Sequence, residues 1–165
     1  MSRMFEIKQQ SLERDLQHYG RGSAMTVLGA VSTAEEWRAL VEFRTKTLVK
    51  GPDDRVTTDG PVVCGIRYLE RFLWQAPHPM EIVTVLQPLG IFHPNCSPGG
   101  AMCLGHPSAG LTMEMILNQV WAGLNLNMKV VDTRPGHIAN REAAAWVVAN
   151  AHLFPLCRKG LLEDG

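Results

Sequence analysis

From Trp37 to Phe43 every second residue is apolar, with Trp37, Ala39, Val41 and Phe43 set among Arg38, Glu42 and, just beyond, Arg44. A period of two commits one face of a strand to a core and the other to water. The same period returns in Val62, Cys64, Ile66 and Tyr68 and runs on to Phe72, after the turn-forming residues Gly51, Pro52, Asp53 and Asp54 and a polar connection that closes with Gly60 and Pro61. Ala24 to Val31 adds a strand of small and β-branched residues, and Pro77 and Pro79 separate the third strand from a fourth, Glu81 to Leu86, closed by Pro88. The reading is an antiparallel meander of four strands with one buried face.

The period then changes. Met113, Ile116, Leu117, Val120 and Leu124 form one helical stripe within Leu111 to Leu124, and an alanine-rich helix spans Arg141 to His152 behind Asn140 as its N-cap. A further amphipathic helix, Met4 to His18, carries Phe5, Leu12 and Leu16 and stops at Gly20 and Gly22. Strands followed by helices argue for an α+β fold in which helices cover one face of a sheet. At 165 residues, 1–165 is read as a single domain. Between the fourth strand and the next helix lies a stretch without period, Gly90 to Gly110, and segments of that kind inside compact domains carry function.

Composition removes several classes of function. Sixteen basic and sixteen acidic residues cancel, and no basic run interleaves with aromatics, so a nucleic-acid partner is not expected. No apolar run reaches the roughly 20 residues of a membrane span, and Met1 to Asp15 lacks the apolar core of a secretory signal, so the expected setting is the cytoplasm, without membrane attachment. There the four cysteines, Cys64, Cys96, Cys103 and Cys157, are expected as thiols. Cys64 and Cys157 sit in apolar surroundings and read as small buried hydrophobes, which leaves Cys96 and Cys103 for chemistry.

Both lie in the aperiodic stretch, within Phe92-His93-Pro94-Asn95-Cys96-Ser97-Pro98-Gly99-Gly100-Ala101-Met102-Cys103-Leu104-Gly105-His106. A cysteine on a glycine-flanked loop is open to a large electrophile, and a nearby asparagine amide is an uncharged donor suited to an oxyanion. Those parts suffice for acyl transfer. His93-Pro94-Asn95, with Phe92 before it and Cys103-Leu104 beginning eight residues after the asparagine, resembles the active-site motif of ubiquitin-conjugating enzymes. The order of elements resembles that family too: an N-terminal helix, a four-stranded meander, an active-site loop and C-terminal helices.

The resemblance implies that Cys103 carries a ubiquitin-like modifier protein as a thioester, received from an activating enzyme and passed to an amine of a target protein, with no cofactor of its own. It implies Asn95 as the oxyanion donor. It implies His93 and Pro94 as structural residues of the active-site loop, His93 through backbone contacts and Pro94 through its fixed φ. It also implies an acidic gate residue, for which Asp132 is the candidate, with Asn125 and Asn127 as alternatives in the same segment. Arg134-Pro135, Asn140 and Glu142-Ala143-Ala144 resemble the family's proline-containing lead into its next helix. The connection Leu104 to Gly110 is shorter than in typical members and lacks their tryptophan-containing segment, which points to stand-alone bacterial members of ubiquitin-like conjugation operons, as in the Bil-type antiphage systems.

The residues by themselves leave other readings open. Asn95 after a proline can serve loop architecture alone. His93-x-x-Cys96 and Cys103-x-x-His106 have the spacing of two zinc-ligand pairs, so a structural zinc module using all four is an alternative. A cysteine hydrolase activated by His93 or His106 is another, and the resemblance itself implies a third, a non-catalytic module that only binds a ubiquitin-like protein. Cys96 is open as a second acceptor thiol, a resolving thiol or a bystander.

Overall fold

A computed structural model describes residues 2–134 and 138–163. The order of elements is α1 (Arg3–Tyr19), β1 (Met25–Ser32), β2 (Glu36–Phe43), β3 (Thr47–Lys50), β4 (Val56–Asp59), β5 (Val62–Leu69), β6 (Val83–Gln87), β7 (Ala101–Met102), α2 (Met113–Leu124) and α3 (Arg141–Ala149). The α+β class is the observed one: a helix, antiparallel strands, then helices.

The main sheet has the order β1-β2-β5-β6-β7 with every pair antiparallel. Its centre is the β2–β5 pair, in unbroken register from Glu36↔Leu69 to Phe43↔Val62. The period of two has the predicted effect, since Trp37, Val41, Phe43, Val62, Cys64, Ile66 and Tyr68 are all buried. They meet the α2 stripe of Met113, Ile116, Leu117, Val120 and Leu124, and Phe5, Leu12 and Leu16 of α1, in one core. Each such side chain contributes about 1.5–3 kcal/mol on leaving water, so the sheet face and the two helices hold each other. The other face of the sheet stays open, with Leu40 and Leu86 exposed.

Caps set the helix starts. The Ser2 hydroxyl accepts from the Phe5 N–H, Thr112 from Met115 and Asn140 from Ala143, so Asn140 is the N-cap of α3 as expected. α3 itself is shorter than the predicted Arg141–His152, because the cap N–H of Asn150 turns back to Trp146 and Val147, and residues 151–153 continue as a 3-10 turn.

Two expectations need correction. The meander is not four strands, since the connection between β2 and β5 forms a second sheet of its own, β3 paired with β4 from Thr47↔Asp59 to Lys50↔Val56. Strands of four residues, one of them largely exposed, show too little alternation to be read as a pair. The aperiodic stretch 90–110 is also not free of regular structure. β7 joins the sheet edge through Val83↔Met102 and Thr84↔Ala101, and Cys96 bridges Met102. Gly100 allows this, having φ +85° and lying so close to the edge that a Cβ would fall 2.2 Å from the Val85 carbonyl oxygen.

A second, smaller core gathers Leu48 of β3, Phe92, Leu126, Val131 and the Ala143 and Val147 face of α3, with Trp146, Phe154 and Leu156 packed against it. It joins the segments on either side of the His93-Pro94-Asn95 tripeptide to those that follow α2. Lys50 reinforces the join through its 2.6 Å ion pair with Glu142.

Candidate active site

The tripeptide is held by backbone and side-chain hydrogen bonds from three directions. His93 is fully buried. Its Nδ1 accepts from the Asn95 N–H at 3.0 Å, which leaves Nε2 as the protonated nitrogen, and that nitrogen faces the Gly123 carbonyl of α2 at 2.8 Å. Burial pushes the imidazole pKa down to about 4, a fall only partly opposed by the Gly123 carbonyl, so His93 is neutral at physiological pH. The Pro94 carbonyl accepts from the N–H groups of Ala139 and Asn140 at 2.8 and 3.0 Å, tying the loop to the start of α3.

Asn95 makes the third tie. Its Nδ2 donates to the Asp132 carbonyl at 2.9 Å and its Oδ1 accepts from the Asp132 N–H at 3.2 Å. The carboxamide thus pairs with both backbone groups of one residue, Asp132, in the segment after α2, as a neighbouring strand would. Loop architecture is therefore one role that the geometry gives this residue.

Cys103 follows β7 directly, and its N–H donates to the Asn95 carbonyl at 2.7 Å. Cys96 opposite Met102 and Cys103 opposite Asn95 are successive steps of one antiparallel pairing, and successive side chains point to opposite sides. Cys96 and Met102 accordingly turn into the core at 1% exposure each, while Cys103 is half-buried. Burial, with smaller contributions from Cys64 and Cys103, raises the Cys96 thiol far above its ordinary range, and burial alone pushes Cys64 up to about 12. Neither buried sulfur is a thiolate at neutral pH. Cys157 is half-buried against the main core.

Cys103 opens on a cleft of ≈ 320 Å³ whose walls include Asn95, Asp132, His78, His106 and Arg134. The Asp132 carboxylate accepts from the backbone N–H, Nε and Nη2 of Arg134 at 3.0, 3.0 and 2.6 Å. The other two gate candidates lie elsewhere. Asn125 is buried, donates to the Trp121 carbonyl and accepts from the Thr45 hydroxyl, and Asn127 turns its side-chain oxygen to the Lys129 N–H. Of the three, Asp132 is the one on the cleft wall. Pro135, part of the proline-containing resemblance, lies outside the described residues.

The zinc reading of His93, Cys96, Cys103 and His106 is corrected. Among the described residues no group of three or more His, Cys, Asp or Glu side chains could hold a metal ion. The reason is local: both His93 nitrogens are turned to backbone partners, and Cys96 and Cys103, on two paired segments, point to opposite faces of that pairing. The hydrolase reading loses His93 as an activating base for the same reason. Sequence reasoning had no role for His78 and gave Arg134 only a place in a loop resemblance. The Asp132-x-Arg134 spacing was the available signal for the latter.

No protein-family model matches the sequence, and no curated protein matches it. Among solved structures the chain is similar to S. cerevisiae Ubc12, at 18% identity and a TM-score of 0.48, over 86% of this chain and 71% of that one. Among the described residues no helix is long and apolar enough to cross a membrane.

Proposed function

We propose that the chain is a ubiquitin-conjugating-type transferase, which receives a ubiquitin-like modifier protein from an activating enzyme as a thioester on Cys103 and passes it to a lysine amine of a target protein. The observation that carries the reading is the contrast within one loop: Cys103 opens on a cleft shared with Asn95 and Asp132, whereas Cys96 is sealed into the core. The His93-Pro94-Asn95 motif at its spacing from Cys103 supports the same assignment.

In the transfer, the lone pair of the neutral amine adds to the thioester carbonyl carbon, forming a C–N bond and an oxyanion. Asn95 stabilises that oxyanion from the cleft wall. Collapse breaks the C–S bond, Cys103 leaves as thiolate, and the proton lost from nitrogen passes by way of the Asp132 carboxylate to solvent or the leaving sulfur. The balance is thioester plus amine to amide plus thiol, and no cofactor enters. His93 and Pro94 hold the loop. The short Leu104 to Gly110 connection supports placement with stand-alone bacterial members of antiphage conjugation operons, acting in the cytoplasm. A module that only binds the modifier would have no use for a cysteine in the cleft.

The reading is tested by incubating the protein with ATP, a ubiquitin-like modifier and its activating enzyme, then resolving the products on gels with and without thiol reductant. A reductant-sensitive adduct that forms with Cys96→Ala and not with Cys103→Ala is the expected result. An adduct lost in Cys96→Ala, or none with partners shown to be active, overturns it.

A further inference from the structure

The Asp132 carboxylate already engages a cation of its own chain. Arg134 donates to it through Nε at 3.0 Å and Nη2 at 2.6 Å, and both residues line the cleft that holds Cys103. Their exposure is unequal: the Asp132 side chain is 27% exposed and that of Arg134 74%. Solvent screens a pair whose guanidinium is this exposed, so the guanidinium is readily displaced, yet its tether of two residues returns it quickly. A lysine ammonium has the same charge and the same donor character as the guanidinium. Whatever favours Arg134 on the carboxylate favours an incoming ammonium there, and the two compete for the same acceptor positions on Oδ1 and Oδ2.

We propose that Arg134 is an intrachain competitor of the acceptor: it occupies the subsite on Asp132 into which the acceptor's ammonium must enter beside Cys103. This rests on the carrier reading above and assigns the acceptor subsite of that same site. The arrangement favours acceptors presented at high local concentration over free amines in solution, because only the former outcompete a tethered cation. A guanidinium that merely orients Asp132 has the opposite consequence, since its removal would slow transfer.

The experiment needs no partner protein. Native protein is treated with 2-bromoethylamine, an alkylating agent that carries an ammonium group, and in parallel with neutral iodoacetamide, and modification of Cys103 is followed by peptide-resolved mass spectrometry. The ratio of the two rates cancels changes in the thiol itself. Other ionisable groups on the cleft wall, His78 and His106, are common to all variants. In Arg134→Ala and Arg134→Gln the ratio rises about two- to fivefold, the equivalent of losing a competitor of that strength. Asp132→Asn lowers it, and adding Arg134→Ala to Asp132→Asn produces no comparable rise. An unchanged or lower ratio in the Arg134 variants overturns the proposal, as does an equal rise in the Asp132→Asn background, which would reflect general charge alone. With the thioester loaded, Arg134→Ala also lowers the KM for free lysine with kcat little changed. Failure of the thioester to form counts against the carrier reading, while the alkylation ratio still decides the role of Arg134.

Discussion

Replacing Asn95 by alanine slows discharge of the Cys103 thioester to a small amine by about a hundredfold or more, the usual effect of losing one oxyanion donor. The measurement is a single-turnover chase of pre-formed thioester with excess lysine, since chemistry is then separated from charging. Asn95 also pairs with the N–H and C=O of Asp132, so its loss removes two hydrogen bonds from the loop, at a cost of about 1–3 kcal/mol. The two effects are separable. Asn95→Ala should unfold at lower urea concentration yet remain folded, with Cys103 alkylated by iodoacetamide at a rate within a few-fold of the parent, while discharge collapses. If discharge falls only as far as the fraction folded, Asn95 is a loop residue and the oxyanion role is wrong.

The second large effect is on stability and comes from His93. Its folded pKa is held at about 4 by burial, against 6.5 for an imidazole in water. Between those values the unfolded chain binds a proton that the folded chain refuses, so stability is fully present above about pH 6.5 and is lost as pH falls toward 4, with no further loss from this group below that. At 1.36 kcal/mol for each unit the difference amounts to about 3 kcal/mol. Urea unfolding of the parent and of His93→Gln at pH 7 and pH 4 checks it. The variant loses the packing of the ring at both pH values, but the gap between the two proteins narrows by about 3 kcal/mol on acidification. Parallel loss in both would mean that His93 is not the group responsible.

The central sheet was legible because burial on one face leaves a mark in sequence: the residues alternating from Trp37 and from Val62 are those in the core. The α2 stripe was legible for the same reason at a period of 3.6. The β3–β4 hairpin was not, since four-residue strands give two alternations at most, and β7 was not, since its two residues are defined by the Gly100 approach to β6 and not by a pattern. In the aperiodic loop, motif spacing singled out Cys103, Asn95 and His93 as candidates but gave no sign of their hydrogen-bond partners. Hydrogen bonds from His93 to Gly123, 30 residues away, and from Asn95 to Asp132, 37 away, are products of the fold and carry no local signal. The same stretch suggested a zinc site from cysteines that alternation sends to opposite faces of one antiparallel pairing. Separating Asp132 from Asn125 and Asn127 required the path of the chain after α2, which composition does not encode.

If the modifier is carried on the sulfur of Cys103, replacing that one atom by oxygen changes the chemistry of the adduct. Cys103→Ser is charged with the activating enzyme, ATP and modifier, and its adduct is challenged with thiol reductant and with mild alkali. The expected result is that the parent adduct is cleaved by reductant, whereas the Cys103→Ser adduct, now an oxygen ester, survives reductant and yields to alkali. A reductant-labile adduct that still forms on Cys103→Ser would place the bond on another thiol and rule out Cys103 as the carrier.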